Sequence, residues 1–137
     1  MKFYPLQATD AGYFKSKLML TLGDDARGIV AFRKGKLAAA VAAHDWTPNS
    51  CHMHWVIEDP FVIKHGLFQK VADWVFNETG REIIYGKINH TNSRSIKLAE
   101  HIGFKRIGVL TDGFKKGVDI ILFEMRKDKC RWLNHGV

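Results

Sequence analysis

The chain has 137 residues, 46% hydrophobic and 26% charged, which is the composition of one globular domain with a core of its own. Its two cysteines stand outside any metal-binding spacing and predict free thiols, and the lack of a signal-like or membrane-length apolar stretch predicts a cytoplasmic protein without a membrane segment. The formal net charge of +7 favours an anionic partner, such as nucleic acid, a phosphorylated cofactor or an acidic protein surface. Because the basic residues are spread along the chain, a well-solvated surface is the alternative explanation of this charge.

The first predicted elements are an edge strand and a helix. Residues 3–6 can form a short strand, which Pro5 restricts to the edge of a sheet because proline lacks a backbone donor. Thr9 or Asp10 can cap a helix that runs to about Leu20, because apolar residues recur there at helical spacing.

A hairpin and a third strand follow. Residues 29–32 and 37–43 flank a turn rich in lysine and glycine, so both are predicted to be strands, although the second is rich in alanine and would favour a helix by propensity alone. Residues 51–58 alternate polar and apolar side chains, the period of a strand with two different faces.

The second half of the chain alternates helices and strands. Helices are predicted at 64–77 and 93–102, and strands at 83–88, 104–110 and 118–125. The last strand is apolar on both faces apart from Asp119 and Glu124, so it is expected in the middle of the sheet. This order predicts an α/β (α+β) domain over residues 1–126, in which a mixed, mostly antiparallel twisted sheet of about six or seven strands is flanked by about three helices. Residues 127–137 are predicted to form a basic C-terminal tail, either a contact arm or a solubilising end.

The segment 88–104 carries the most specific motif. Asn92 can cap a helix, Leu98 lies on its buried face, and Gly103 followed by Phe104 can end the helix and begin a strand. With Ser95 as the small residue, the segment resembles the second motif of the GNAT family of N-acetyltransferases. The predicted order of elements resembles that family over nearly the whole chain.

The resemblance implies acetyl-CoA as cofactor and an amine as acceptor. In the family, a glycine-rich loop after the fourth strand binds the cofactor pyrophosphate at a helix N-terminus. Here this region has one glycine, so Lys64, His65 and Gly66 are the implied residues, and the motif is degenerate. Where many family members place a tyrosine that protonates the departing thiolate, this chain has Ala99, and Ser95, Tyr85 or solvent are its possible substitutes.

The resemblance also locates the remaining site residues. The implied base is a carboxylate or histidine near the end of the fourth strand, with Glu58 as first and His54 as second candidate. Backbone groups of Val56 and Ile57 would bind the thioester end of the cofactor and its oxyanion. The pantetheine arm is expected near Asn92 and near Ser95, which is also a catalytic candidate. A surface charge at the strand end is the competing interpretation of Glu58.

His52 and His54 are two apart on one predicted strand face, a spacing that suits two ligands of a metal ion. No third ligand is evident in the sequence, so no metal is predicted.

Two other functions stay open. Because the cofactor motif is degenerate, the chain is alternatively a GNAT-fold protein with reduced catalysis that binds another protein. Its short length is similar to that of GNAT-like proteins of bacteriophages, which implies a host protein as that partner. Nucleic acid is a less favoured partner because charge alone supports it. The chain is expected to be a monomer or a homodimer.

Overall fold

The computed structural model describes residues 1–6 and 25–133. The predicted helix that ends at Leu20 lies outside these residues. Seven strands form one sheet in the order β1-β2-β3-β4-β5-β7-β6, in which neighbours are antiparallel except for the parallel pair β4 and β5. The predicted mixed, mostly antiparallel sheet is therefore confirmed. The strands are β1 Lys2–Pro5, β2 Arg27–Arg33, β3 Lys36–His44, β4 Ser50–Ile57, β5 Ile83–Asn89, β6 Lys105–Lys115 and β7 Val118–Arg126.

The alanine-rich segment is strand β3, as the hairpin predicts. Lys34 and Gly35 have φ angles of +54° and +76°, the left-handed pair that a two-residue hairpin turn requires. The turn brings β3 antiparallel to β2, and the pairing between strands outweighs the helix propensity of alanine.

Three helices pack on the sheet within the described residues. These are α1 Phe61–Lys64, α2 Leu67–Ala72, which continues as a π-helical segment Asp73–Glu78, and α3 Ser93–Ile102. The prediction of one helix over 64–77 is wrong at its start. Gly66 has a φ of +106°, which no α-helix accommodates, so the chain turns there before α2 begins.

Strand β6 is longer than predicted, since the expected loop at 111–117 belongs mostly to the β6–β7 hairpin. The register between the two strands shifts after Leu110, and Asp112 has a φ of +56°. The Asp119 carboxylate accepts a hydrogen bond from the backbone N–H of Asp112 at 2.9 Å, which holds the irregular stretch against β7. As predicted, β7 lies inside the sheet, between β5 and β6.

The main core lies between one face of the sheet and the helices α2 and α3. Its largest fully buried side chains come from both layers: Leu67 and Phe76 from the helical segments, and Val41, Ile84 and Phe123 from the strands. A smaller apolar cluster of Val30, Ala40 and Ala42 lies on the opposite face. Both cysteines are buried and free, as predicted.

The described part of the basic tail packs on the domain. After a short 3₁₀ turn at Lys127–Lys129, the Cys130 side chain is buried, and the Trp132 indole N–H donates to the carbonyl of Ile102 at 2.8 Å. Arg131 donates to the carbonyl of His101. None of the helices within the described ranges has the length and apolar character needed to cross a bilayer.

Candidate active site at the divergence of two parallel strands

Strands β4 and β5 pair only at their beginnings. Their parallel register runs from Ser50 opposite Ile83 to His52 opposite Tyr85. Beyond this point β4 continues to pair with β3 as far as Ile57, and β5 continues to pair with β7 on its other side. Each strand thus stays in the sheet on its outer edge while the two inner edges separate, which opens a wedge in the middle of the sheet.

A cleft of about 210 Å³ occupies this wedge. It is lined by Met53, His54, Trp55, Gly86, Lys87, Ile88, Asn89, Asn92, Ser95 and Phe114. A second groove of about 150 Å³ runs along the end of β4 and is lined by Trp55, Val56, Ile57, Arg94, Ser95 and Leu98. Because both share Trp55 and Ser95, they are adjacent parts of one channel over the first turn of α3.

The first turn of α3 is held by the predicted cap. The Asn92 side chain accepts a hydrogen bond from the backbone N–H of Ser95 at 3.2 Å, and Gly103 ends the helix with a φ of +114°. The capping role of Asn92 is thus confirmed. Asn92 and Ser95 also line the cleft, and their place near the pantetheine arm stays a prediction.

The two candidate bases have different surroundings. Glu58 is exposed just beyond the end of β4, where its backbone N–H donates to the carbonyl of Ala38 at 2.8 Å, and it lines neither groove. His54 lines the cleft, but its Nε2 lies 2.7 Å from Nε2 of His44.

The implied pyrophosphate residues lie away from both grooves. Lys64 ends α1, His65 stacks on the Phe61 ring with 3.7 Å between ring centroids, and Gly66 precedes α2. None of the three lines the cleft or the second groove. Their role in binding the cofactor therefore stays a prediction.

The positions considered for the general acid also differ in their surroundings. Ala99 is fully buried in the core, so its position on α3 faces the sheet. Ser95 lines the cleft, whereas the ring of Tyr85 stacks on His52, with centroids 5.0 Å apart and planes 10° apart. Of the two candidates with a hydroxyl group, Ser95 is thus the one that lines the channel.

A third histidine joins the pair found in the sequence. In the register of β3 and β4, His44 lies directly opposite His52, and His54 follows two residues along the same face. The prediction that no third ligand accompanies the pair is wrong, because potential ligand atoms of all three rings lie within 4.8 Å of one another. The turn between β3 and β4 indicates in the sequence that the two strands pair antiparallel. Only the exact register of that pair places His44 opposite His52.

Burial keeps the rings of His52 and His54 neutral. Removal from water, with smaller contributions from the neighbouring histidines and Lys87, lowers the pKa of His52 to about 4 and that of His54 to about 3. His52 is 6% exposed, and its Nε2 is a buried side-chain nitrogen for which the described residues provide no hydrogen-bond partner. Such an atom costs about 1–3 kcal/mol of stability when it is left unpaired.

No family model and no curated protein matches the sequence. Solved structures do match the fold. A spermidine N-acetyltransferase SpeG chimera from Vibrio cholerae and hSSAT aligns with a TM-score of 0.76 and 15% identity, over 98% of this chain and 100% of that chain. A protein of Streptococcus mutans, smu.2055, aligns at 0.71 and 14% identity over 93% and 99% of the two chains.

An acetyltransferase of the GNAT family from Bacillus anthracis aligns with a TM-score of 0.58 and 17% identity, over 76% of this chain and 67% of that chain. At these identities the likeness concerns the backbone arrangement. The chain has the fold of the GNAT acetyltransferases.

Proposed function

We propose that the chain is an N-acetyltransferase that transfers an acetyl group from acetyl-CoA to an amine of a protein or small molecule. The observation that carries this proposal is the separation of β4 from β5 after three paired positions, which opens a channel in the middle of the sheet. Proteins of the same fold with acetyltransferase names support it.

The channel suits an extended thioester chain. Where the two inner strand edges no longer bond each other, they present backbone donors and acceptors to the cleft. The pantetheine amides would pair with these groups beside Met53 and Gly86, and the thioester would lie near Ser95. Arg94 lines the outer groove and would face the anionic end of the cofactor.

The chemistry requires an amine to attack the thioester carbonyl, lose a proton and release the thiolate of CoA. Glu58 stays the proposed base and acts through a water, because it lies one residue beyond the lining residue Ile57. The low pKa of His54 makes it a weak base, and its Nε2 already faces His44. Ser95 is the proposed donor to the thiolate. Holding the two reactants together in the channel would supply much of the rate.

The charge of the protein restricts the acceptor. With a formal net charge of +7 and Lys87 in the cleft, a polycation such as spermidine would be repelled. We therefore propose an acceptor with a single amine, or a lysine on an acidic protein surface.

The first experiment is calorimetric titration of acetyl-CoA into the protein and into Gly86→Val. The new side chain would fill the cleft without a steric clash at its base, because a Cβ at Gly86 meets no atom nearer than the carbonyl oxygen of Met53 at 3.8 Å. Gly108→Val is the matched control, since it also adds bulk to a strand glycine, on β6, with its nearest atom at 3.6 Å.

Binding that is weakened at least tenfold by Gly86→Val and unchanged in Gly108→Val would support the enzyme. It would justify an assay of thiol release with mono-amines, lysine peptides and spermidine. The absence of heat with wild-type protein at millimolar acetyl-CoA would refute the acetyltransferase proposal.

A second candidate, a GNAT-fold protein that binds another protein, has one observation in its favour. The edge strand β6 exposes four large apolar side chains, each 46–56% accessible: Ile107, Val109, Leu110 and Phe114. An exposed apolar edge strand is a common docking surface. This second candidate makes two requirements. The wild-type protein must not bind acetyl-CoA, and Val109→Asp must abolish its binding to a specific protein partner.

A further inference from the structure

We propose that His44, His52 and His54 form a binding site for a divalent transition-metal cation of borderline softness, with Zn²⁺ as the first choice. The inference goes beyond acetyl transfer and does not depend on it. It rests on the convergence of three imidazoles on one face of the sheet and on the buried Nε2 of His52, which has no hydrogen-bond partner among the described residues.

The spacing of the three rings is close to that of a metal site. Their potential ligand atoms lie within 4.8 Å of one another, and Nε2 of His44 is 2.7 Å from Nε2 of His54. Imidazole nitrogens bind Zn²⁺ at about 2.0–2.1 Å in tetrahedral geometry, which places the nitrogens about 3.3 Å apart. Small rotations of the side chains would reach this arrangement. They would lengthen the distance between Nε2 of His44 and Nε2 of His54 and shorten the longer distances among the three rings.

The strands hold the rings in position. Direct pairing of His44 with His52 across β3 and β4 sets the two side chains on one face, and the rings stack with centroids 5.0 Å apart. On its other side His52 stacks on Tyr85. The plane of the His52 ring is therefore limited before any ligand binds, which reduces the entropy lost on binding.

The electron pairs are available for coordination. Nε2 of His52 is buried and finds no hydrogen-bond partner among the described residues. Between the facing Nε2 atoms of His44 and His54 only one proton can be accommodated. A cation would accept one lone pair from each ring, including that of the buried Nε2 of His52.

The carboxylate of Asp45 lies on the outer side of the rings. Its two oxygens are each 3.8 Å from an Nδ1, one of His44 and one of His52. A carboxylate there favours protonation at Nδ1 and so directs Nε2 toward the metal, as outer carboxylates do in other histidine sites. Asp45 also offsets the charge of the cation, which Lys87 opposes.

Three imidazoles suit Zn²⁺, Co²⁺, Ni²⁺ and Cu²⁺ better than Mg²⁺ or Ca²⁺, which prefer oxygen ligands. A metal ion bound at this site would take up the lone pair of His54, so Glu58 would remain the base in acetyl transfer. Binding of metal and of acetyl-CoA can be measured separately on the wild type, because Co²⁺ absorption reports the metal and calorimetry reports the cofactor.

The test uses the full-length, untagged protein after removal of metals with EDTA. Titration with Co²⁺, followed by visible absorption, should show one equivalent bound with the intense bands of a tetrahedral site, and Zn²⁺ should displace it. His52→Phe, which keeps a ring between His44 and Tyr85, and His44→Phe should abolish these bands. Asp45→Asn should weaken Co²⁺ binding by about tenfold or more.

His101→Phe is the matched control, because this histidine is exposed and lies outside the cluster; its Co²⁺ affinity should equal that of the wild type. Zn²⁺ should also raise the melting temperature of the wild type, a readout that needs no variant. The proposal is overturned if the wild type binds Co²⁺ no more tightly than His52→Phe, or if Zn²⁺ leaves the melting temperature unchanged.

Discussion

The two faces of β4 have different partners, although they alternate along one strand. Cys51 and Met53 lie in the main apolar core, against the helices. His52 and His54 lie on the other face with His44, and Glu58 follows beyond the strand end in the same alternation. The comparison shows that an alternating pattern can separate two buried surfaces, one that stabilises the fold and one that carries ionisable groups.

This difference has an energetic consequence. Burial of the Met53 side chain stabilises the folded protein because it removes apolar surface from water. Burial of His52 costs free energy unless its nitrogen finds a partner. Substitutions on the first face should therefore change stability, and substitutions on the second should change function.

The largest effect of a substitution is expected at Glu58, which follows the histidine-bearing face of β4. Glu58→Gln should lower kcat for acetyl transfer by roughly 10²–10⁴-fold, because it removes the proposed base, and should leave acetyl-CoA affinity unchanged. Steady-state thiol release would measure it, with His54→Gln as the comparison. A greater loss in His54→Gln than in Glu58→Gln would reverse the assignment of the base.

On the apolar face, Met53→Ala should destabilise the protein by about 2–5 kcal/mol, because truncation of a buried side chain loses transfer free energy and leaves a cavity. Urea denaturation followed by circular dichroism would measure the change. A cost below about 1 kcal/mol would show that this side of β4 is less tightly packed than the structure indicates.

Acid should destabilise the protein through the histidine face. The pKa values of His52 and His54 are lowered in the folded state to about 4 and about 3, so the unfolded chain takes up protons first as pH falls below about 6.5. Each histidine should then reduce the free energy of unfolding by up to about 1.4 kcal/mol per pH unit until the folded ring is protonated. The other ionisable groups around the two rings are His44, Asp45, Tyr85 and Lys87.

The measurement is the urea midpoint between pH 7 and pH 4.5 in the presence of EDTA, for the wild type and for His52→Phe. The pH dependence should be weaker in the variant, since one of the two titrating rings is gone. Equal slopes for the two proteins would show that His52 does not contribute.

The smallest effect is expected for His52→Phe at neutral pH. Phenylalanine keeps a ring against Tyr85 and removes a buried nitrogen that has no partner among the described residues, so stability should stay within about 1 kcal/mol of the wild type or rise. Thermal denaturation without metal would test this. A large loss would indicate that the ring nitrogen has a partner in the folded protein.

Much of the fold could be predicted from the sequence because its signals are local. The turn at Lys34 and Gly35, the cap at Asn92 and the helix end at Gly103 each depend on a few neighbouring residues. The break at Gly66 was missed because apolar spacing continues across it, and only its backbone angle shows that the helix begins later.

For the site, local signals identified Asn92 and Ser95, which line the cleft, and the pair of His52 and His54. They did not identify His44, which is separated in sequence from its partners. They also left Lys64 among the implied cofactor residues, although it lines neither groove.

The sequence by itself thus determined the order of the elements, the hairpin and the capped helix, since periodicity and turn chemistry act over a few residues. The tertiary structure alone decided where β4 leaves β5 and that His44 lies opposite His52. Both depend on the register between strands, which arises from packing of residues distant in sequence and leaves no local pattern to read.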